Sequence, residues 1–265
     1  MDLNLKNKRA LITGSTSGLG ESIAHLLAAE GATVIIHGRN ENRAQCVVEA
    51  IKGKGALAVM AIGDLSTDAG ADAVASAALA GGPVDILVNN AGAYHHHTWM
   101  QATPAKWIET YESNVLSGVR MIQRLVPQMR ERKWGRVITI GGGLGIQPIP
   151  QHPDYNASLA ARHNLALSLA RELKESGVTS NVVSPGAIRV ASVEEYLYAL
   201  APKLGWSNDW AAIERNTVRD FVPNDVGRLG KPEEIAGAVA YLASPFADYV
   251  NGTALRVDGG TVRSL

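Results

Sequence analysis

Short β-branched runs alternate with longer stretches of helical patterning along most of the chain. Arg9 to Thr13 reads as a strand and Glu21 to Glu30 as the helix after it. Thr33 to His37 with Glu41 to Lys52 repeat the pair, and Ala56 to Ile62 with Thr67 to Leu79 repeat it again. Asp85 to Val88 is a fourth strand, followed by helical patterns over Pro104 to Ser113 and Val115 to Arg132. Then come a strand over Arg136 to Ile140, a long helix over Tyr155 to Ser176 and a strand over Thr179 to Ser184. Pro232 to Ala243 is the last helix and Ala254 to Val257 the last strand. Runs such as Val34-Ile35-Ile36 and Ile86-Leu87-Val88 lack polar alternation, which marks strands covered on both faces. The alternation of strand and helix predicts βαβ units. The expected fold is therefore one doubly wound α/β domain over residues 1–265, with a parallel sheet of about seven strands and helices on both faces. Ser192 to Asn224 is less regular. Residues 190–225 are expected to form an insertion over the carboxyl edge of the sheet, where ligands bind in such folds.

Composition narrows the classes. Of 265 residues, 46% are hydrophobic and 19% charged, enough for a large core and too apolar for disorder. The net charge is zero, so no basic field gathers nucleic acid or an anionic membrane. No apolar run reaches the ~18 residues of a membrane span. Met1 to Lys6 shows no apolar leader, and Cys46 is the one cysteine, which predicts a reduced, cytoplasmic protein without an internal disulfide.

The loop Gly14-Ser15-Thr16-Ser17-Gly18-Leu19-Gly20 lies between the first strand and the first helix. Glycines there allow backbone to approach a pyrophosphate, and the helix N-terminus offers free N–H groups and the positive end of its dipole. At the end of the second strand, NAD sites place a carboxylate for the ribose 2′-hydroxyl. His37-Gly38-Arg39-Asn40 has none, and Arg39 suits a 2′-phosphate, predicting NADP(H) over NAD(H).

The spacing T-G-x-x-x-G-x-G over Thr13 to Gly20 resembles that of short-chain dehydrogenases/reductases, including members like the 3-oxoacyl-acyl-carrier-protein reductases, which share the Rossmann fold. Asp64-Leu65, Asn89-Asn90-Ala91-Gly92, Asn114, Tyr155, Pro185-Gly186 and Asp258-Gly259-Gly260 follow in the family's order over nearly the whole chain. The resemblance implies cofactor contacts from the Gly14–Gly20 loop, Arg39 and Asn40, from Asp64 and Leu65 at the adenine, and from Asn90, Ala91, Gly92, Tyr155, Pro185, Gly186 and Ile188. It also implies Tyr155 as acid/base, Asn114 as the helix-bending residue of the active site, and a homo-oligomer, tetramer or dimer, built on the long helices.

The resemblance breaks at three positions. Leu159 stands where the family has Lys, Gly142 where it has Ser, and Val190 where it often has Thr. The first two departures weaken both the base and the oxyanion donors. Arg162, seven residues after Tyr155 and two turns along the same helix face, is a candidate for holding the ribose or raising the local potential, or for a helix contact. His152 is a candidate proton carrier or substrate contact. His95-His96-His97 reads as a surface loop and not as a metal site. Tyr94, Trp99, Gln147, Ile149, Tyr196 and Trp206 are expected around a small-molecule substrate. The expected activity is NADP-dependent oxidoreduction of a carbonyl/alcohol pair or an activated double bond at a non-standard site. A dehydratase, isomerase or cyclase, or a catalytically impaired NADP(H)-binding protein, remains as an alternative.

Overall fold

The computed structural model describes residues 2–94 and 96–263. Strands β1 (Arg9–Ile12), β2 (Thr33–Gly38), β3 (Ala58–Ile62), β4 (Ile86–Asn89), β5 (Gly135–Ile140), β6 (Val178–Pro185) and β7 (Ala254–Val257) form one parallel sheet in the order 3-2-1-4-5-6-7. The helices are α1 (Gly18–Ala29), α2 (Glu41–Lys52), α3 (Asp68–Leu79), α4 (Pro104–Tyr111), α5 (Ser117–Glu131), α6 (Pro153–Glu172), α7 (Ala191–Leu200), α8 (Trp210–Asp220) and α9 (Pro232–Ala243). The expected single doubly wound domain with seven parallel strands is what the chain forms.

Successive strand residues feed opposite faces of the sheet, as the pleat requires. Ala10, Ile12, Val34, Ile36, Ile86 and Val88 pack under α1, α2 and α9, while Leu11, Ile35 and Leu87 pack under α3 and α5. This explains the missing polar alternation: both faces are core. No helix among the described residues is long and apolar enough to cross a membrane.

The expectation of irregular structure across 192–224 is corrected. The segment holds α7 and α8, which close a third, separate core around Leu197, Ala201, Ile213, Val218 and Leu229. Trp206, expected at the substrate, packs into this core and against Phe221, with ring centroids 5.7 Å apart. The long helix begins at Pro153, two residues before its expected start. Pro occupies its first turn, where a missing N–H costs nothing, and His152 precedes it in the left-handed region at φ 57°.

The strand order reverses between β1 and β4, and the turns after these strands are tied together there. The Thr13 hydroxyl donates to Val88 O and accepts from the Asn90 and Ala91 N–H groups, each at 2.9 Å. The Asn90 amide donates to Thr13 O and Gly14 O at 2.9 and 3.0 Å. On the other side His37, buried at the end of β2, accepts from Gly14 N–H through Nδ1 at 2.9 Å and donates from Nε2 to Gly63 O at 3.1 Å. Those two bonds need the neutral ring.

Burial lowers the His37 pKa to about 4, against the raising effect of the Gly63 bond. A depressed folded pKa leaves its stabilising contribution whole above the unfolded value near 6.5 and removes it as pH falls toward 4. The loss is about 1.4 kcal/mol per pH unit across that window, about 3 kcal/mol at most. Urea unfolding at pH 7.5 and pH 5 is expected to show this drop, and His37→Gln to flatten it. Equal slopes in both proteins would refute the assignment.

Candidate active site

The loop after β1 turns on Gly14, whose φ of 65° belongs to the left-handed region. Gly20 is required by proximity: a Cβ there would stand 2.3 Å from Gly14 O. Gly18 lies beneath the segment after β6, with its Cβ direction 3.7 Å from Val190 Cγ1. The N-terminus of α1 has no side-chain cap, so the donors of Ser17, Gly18 and Leu19 face outward for a ligand. Thr16 and Ser17 stay accessible. Ser15 does not: it is buried, and its hydroxyl donates to Ile12 O at 2.7 Å and accepts from His37 N–H. Its side chain shapes the loop and leaves only backbone for a cofactor.

The other nucleotide-side residues divide in the same way. Arg39 is exposed and makes no ion pair among the described residues. The Asn40 side chain accepts from Arg43 N–H at 3.0 Å as the N-cap of α2. Asp64 accepts from the Ser66 N–H and hydroxyl, which hold its carboxyl below the usual range. Leu65 buries its side chain in the second core, so any contact it makes with an adenine is through backbone. Pro185 ends β6 and Gly186 crosses Asp258 so closely that a Cβ would stand 2.9 Å from the Asp258 Cα. Ile188 pairs with Gly230 in an isolated parallel bridge.

Asn114 lies within a π-helical turn, Glu112–Leu116, that joins α4 to α5. Such turns recur at functional sites. Its amide reaches out of the turn: Oδ1 accepts from Ala93 N–H at 2.6 Å, and Nδ2 donates to Ala93 O and to the Ser158 hydroxyl at 3.0 Å. Ser158, three residues after Tyr155 and fully buried, was not foreseen; a serine on the Tyr155 side of the helix was its sequence signal.

Arg162 makes no ion pair among the described residues, and it meets another helical segment, as one reading of the sequence had it, through the backbone of Asn114. It is 7% exposed, and its guanidinium donates to three backbone carbonyls: Asn114 through Nε, Ile140 through Nη1 at 2.8 Å, and Ala91 through Nη2. It thereby ties the π turn to the carboxyl ends of β4 and β5. Gly92 makes room for it, since a Cβ there would lie 2.7 Å from Nη2. Burial lowers its pKa to about 10, opposed by Tyr155, so it stays charged at neutral pH.

Tyr155 is half-buried at the start of α6. Burial raises its pKa and the Arg162 charge pulls the other way. The phenol is therefore protonated at neutral pH. Its ring meets Tyr94 edge-on at 4.8 Å. Tyr94 in turn touches His152 at 4.8 Å and His96 at 4.9 Å, and His96 stacks on Tyr196 at 5.4 Å. Tyr94, pushed up to about 12 by burial with Tyr155 and Tyr196 adding to it, is no base. His97 turns inward to Asp154 at 3.3 Å, where the Thr110 hydroxyl also donates at 2.7 Å. Burial alone would raise the Asp154 carboxyl; the Thr110, His97 and backbone bonds outweigh it and hold it low. His95 lies outside the described residues. Of the other residues expected at the substrate, Trp99 faces Trp107 at 6.0 Å and Gln147 accepts from Arg263 N–H at 3.0 Å.

Leu159, 2% exposed, turns its side chain toward Gly142, where a Cβ would stand 2.9 Å from Leu159 Cδ1. His163, not foreseen, lies a turn further along with Nε2 3.4 Å from Gly142 N.

Residues 8–198 match the short chain dehydrogenase family. An uncharacterised oxidoreductase of Bacillus subtilis, YvaG, is 39% identical over 268 residues, covering the full length of both chains. The 3-oxoacyl-[acyl-carrier-protein] reductase FabG of Escherichia coli is 36% identical over 259 residues, covering 97% of this chain and 98% of the relative. Among solved structures, L-sorbose reductase of Gluconobacter frateurii, complexed with NADPH and L-sorbose, superposes with a TM-score of 0.94 at 33% identity, with both chains fully covered.

The packing of Leu159 against Gly142 makes the two positions dependent on each other. Gly142→Ser alone is expected to destabilise by about 1–3 kcal/mol through overpacking, and Leu159→Ala alone by about 2–5 kcal/mol. The double variant should recover at least ~1 kcal/mol of their sum. Additive values in a denaturation double-mutant cycle would contradict this contact.

Proposed function

The chain belongs to the short-chain dehydrogenase family, and on that premise we propose that it is an NADP(H)-dependent oxidoreductase that reduces a carbonyl, or an activated double bond, of a small molecule at Tyr155. The observation that carries this reading is the protonated, half-buried Tyr155 with the buried Arg162 charge acting on it.

The residues present fit a dinucleotide. The uncapped N-terminus of α1 offers donors for the pyrophosphate, and the glycines of its loop leave room for backbone approach. Arg39, exposed at the end of β2 with no carboxylate beside it in sequence, suits a 2′-phosphate. Asp64 and the Leu65 backbone stand for the adenine, and Asn90, Ala91, Gly92, Pro185, Gly186 and Ile188 for the nicotinamide half. The NADPH-bound sorbose reductase supports the same choice of cofactor.

When bound, the reduced nicotinamide supplies a hydride to the substrate carbon. Tyr155 holds the proton for the substrate oxygen, which the raised pKa keeps in place until charge develops there. Asn114 holds the Ala93 turn and α6 at fixed distance, and Arg162 fixes the strand ends beneath them. The site is non-standard: Gly142 and Leu159 occupy the positions that the family resemblance gives to Ser and Lys. A missing oxyanion donor costs ~10²–10³ in rate at comparable sites, so slow turnover is expected. Membership also supports a homo-oligomer; Ile108 on α4 and Leu116 are exposed on the helices expected at its interface.

A second reading rests on the ring cluster of Tyr94, His96 and His152 against Tyr155. Tyr155 or His152 would move protons there in a dehydratase, isomerase or cyclase. Product formation without NADPH consumption would single that reading out, and tight cofactor binding with silence across all substrates would indicate a binding protein.

Fluorescence titration is expected to show NADPH binding more tightly than NADH, with Arg39→Leu removing about tenfold or more of that preference. NADPH oxidation should be followed with keto-sugars, 3-oxoacyl thioesters and enones. Tyr155→Phe should lower turnover by about 10²-fold or more. Gly142→Ser combined with Leu159→Ala, which restores an oxyanion donor and the room it needs without adding a second cation, should raise carbonyl reduction. Preferred NADH binding, or no oxidation by either protein, would overturn the proposal.

A further inference from the structure

Arg162 carries a charge that no carboxylate among the described residues balances. Arg136, the other buried arginine, is paired with Asp248. Among the described residues no carboxylate lies within ion-pair distance of Arg162, and Tyr155 is the one titratable group it acts on. Burying a cation without a counter-charge is costly. Three carbonyl dipoles offset part of that cost and also occupy Nε, Nη1 and Nη2. Those bonds hold the guanidinium rigidly inside the fold, so its charge acts from a fixed position.

Its location says what the field falls on. Ala91 O and Ile140 O mark the carboxyl ends of β4 and β5. In a doubly wound sheet a dinucleotide crosses the switch point, and its second half lies over the strands on this side. The ring of that half is cationic when oxidised and neutral when reduced. A fixed cation below it opposes the oxidised form alone.

We propose that Arg162 makes the site discriminate between the redox forms of its dinucleotide, favouring the reduced, uncharged ring over the oxidised, cationic one, and so biases the protein toward reduction. The inference rests on the NADP(H) reading above. By linkage, the ratio of the two affinities equals the shift in the redox equilibrium of the bound couple. The expected preference for NADPH over NADP⁺ is about tenfold.

Isothermal titration of NADPH, NADP⁺ and 2′-phospho-ADP-ribose, which lacks the ring, tests this without turnover. In the native protein all three should bind, NADPH about tenfold tighter than NADP⁺. Arg162→Gln, which keeps hydrogen-bonding capacity and loses the charge, should bring the ratio near one. Arg162→Lys, which keeps the charge, should retain most of it. Equal affinities in the native protein, or an unchanged ratio in Arg162→Gln, overturn the inference. If Arg162→Gln does not fold, the native ratio and the Arg162→Lys ratio decide. Failure of 2′-phospho-ADP-ribose to bind overturns the NADP(H) reading itself.

Discussion

The site depends on one buried guanidinium bonded to three carbonyls from three elements. Ala91 closes the turn after β4, Ile140 ends β5, and Asn114 belongs to the π turn between α4 and α5. Each carbonyl is at an end or interruption of regular structure, where a backbone acceptor has lost its usual donor. Arg162 supplies the donors from one rigid, planar group, which fixes distances between the elements as well as satisfying them. The geometry imposes conditions around it. Position 92 must lack a Cβ, and the helix must open by one residue at Asn114 so that its main chain is free to accept and its amide can span from Ala93 to Ser158.

A second junction does the same work for the nucleotide loop with neutral groups. The Thr13 hydroxyl, the Asn90 amide and the His37 imidazole tie the turn after β1 to β4, β2 and β3. Burial is tolerated there because the Thr13 hydroxyl, the Asn90 Nδ2 and both His37 ring nitrogens are bonded and His37 sheds its charge. The two junctions differ in kind. The nucleotide side is neutral and hydrogen-bonded, with Arg39 exposed beyond it. The Tyr155 side keeps a permanent cation under its floor.

The strands were legible because both faces of the sheet are core, so runs such as Val34–Ile36 read as covered strands. The glycine loop was legible in its own spacing between a strand and a helix, while Asn114 and Tyr155 were legible through the family resemblance, whose motifs keep their order along the chain. Helices α7 and α8 were not. Leu197 is the one fully buried residue of α7, since the helix leans on a small core of its own, and so little burial leaves a weak periodicity. Depth was also hidden. Spacing put Arg162 on the Tyr155 side of its helix but gave no measure of how far inside it lies, because its acceptors are backbone groups distant in sequence. Ser15 shows the converse: a loop serine that reads as a phosphate contact spends its hydroxyl on Ile12 and His37.

The packing argues that the unusual residues form a consistent set. Leu159 fills the space that a side chain at position 142 would need, and Gly142 leaves that space. Gly92 leaves the space that Arg162 fills. An ammonium on residue 159 would have to leave the pocket that Leu159 occupies, yet it would stand only one turn from a guanidinium already present, and two uncompensated cations that close would repel strongly in a poorly solvated site. One buried cation near Tyr155 is what the surroundings tolerate, and it is provided from position 162. The proposed reductase therefore has its positive charge deeper and more rigidly held than a lysine on residue 159 would have it. It acts on Tyr155 and on a bound ring by field, with no free donor needed to touch either.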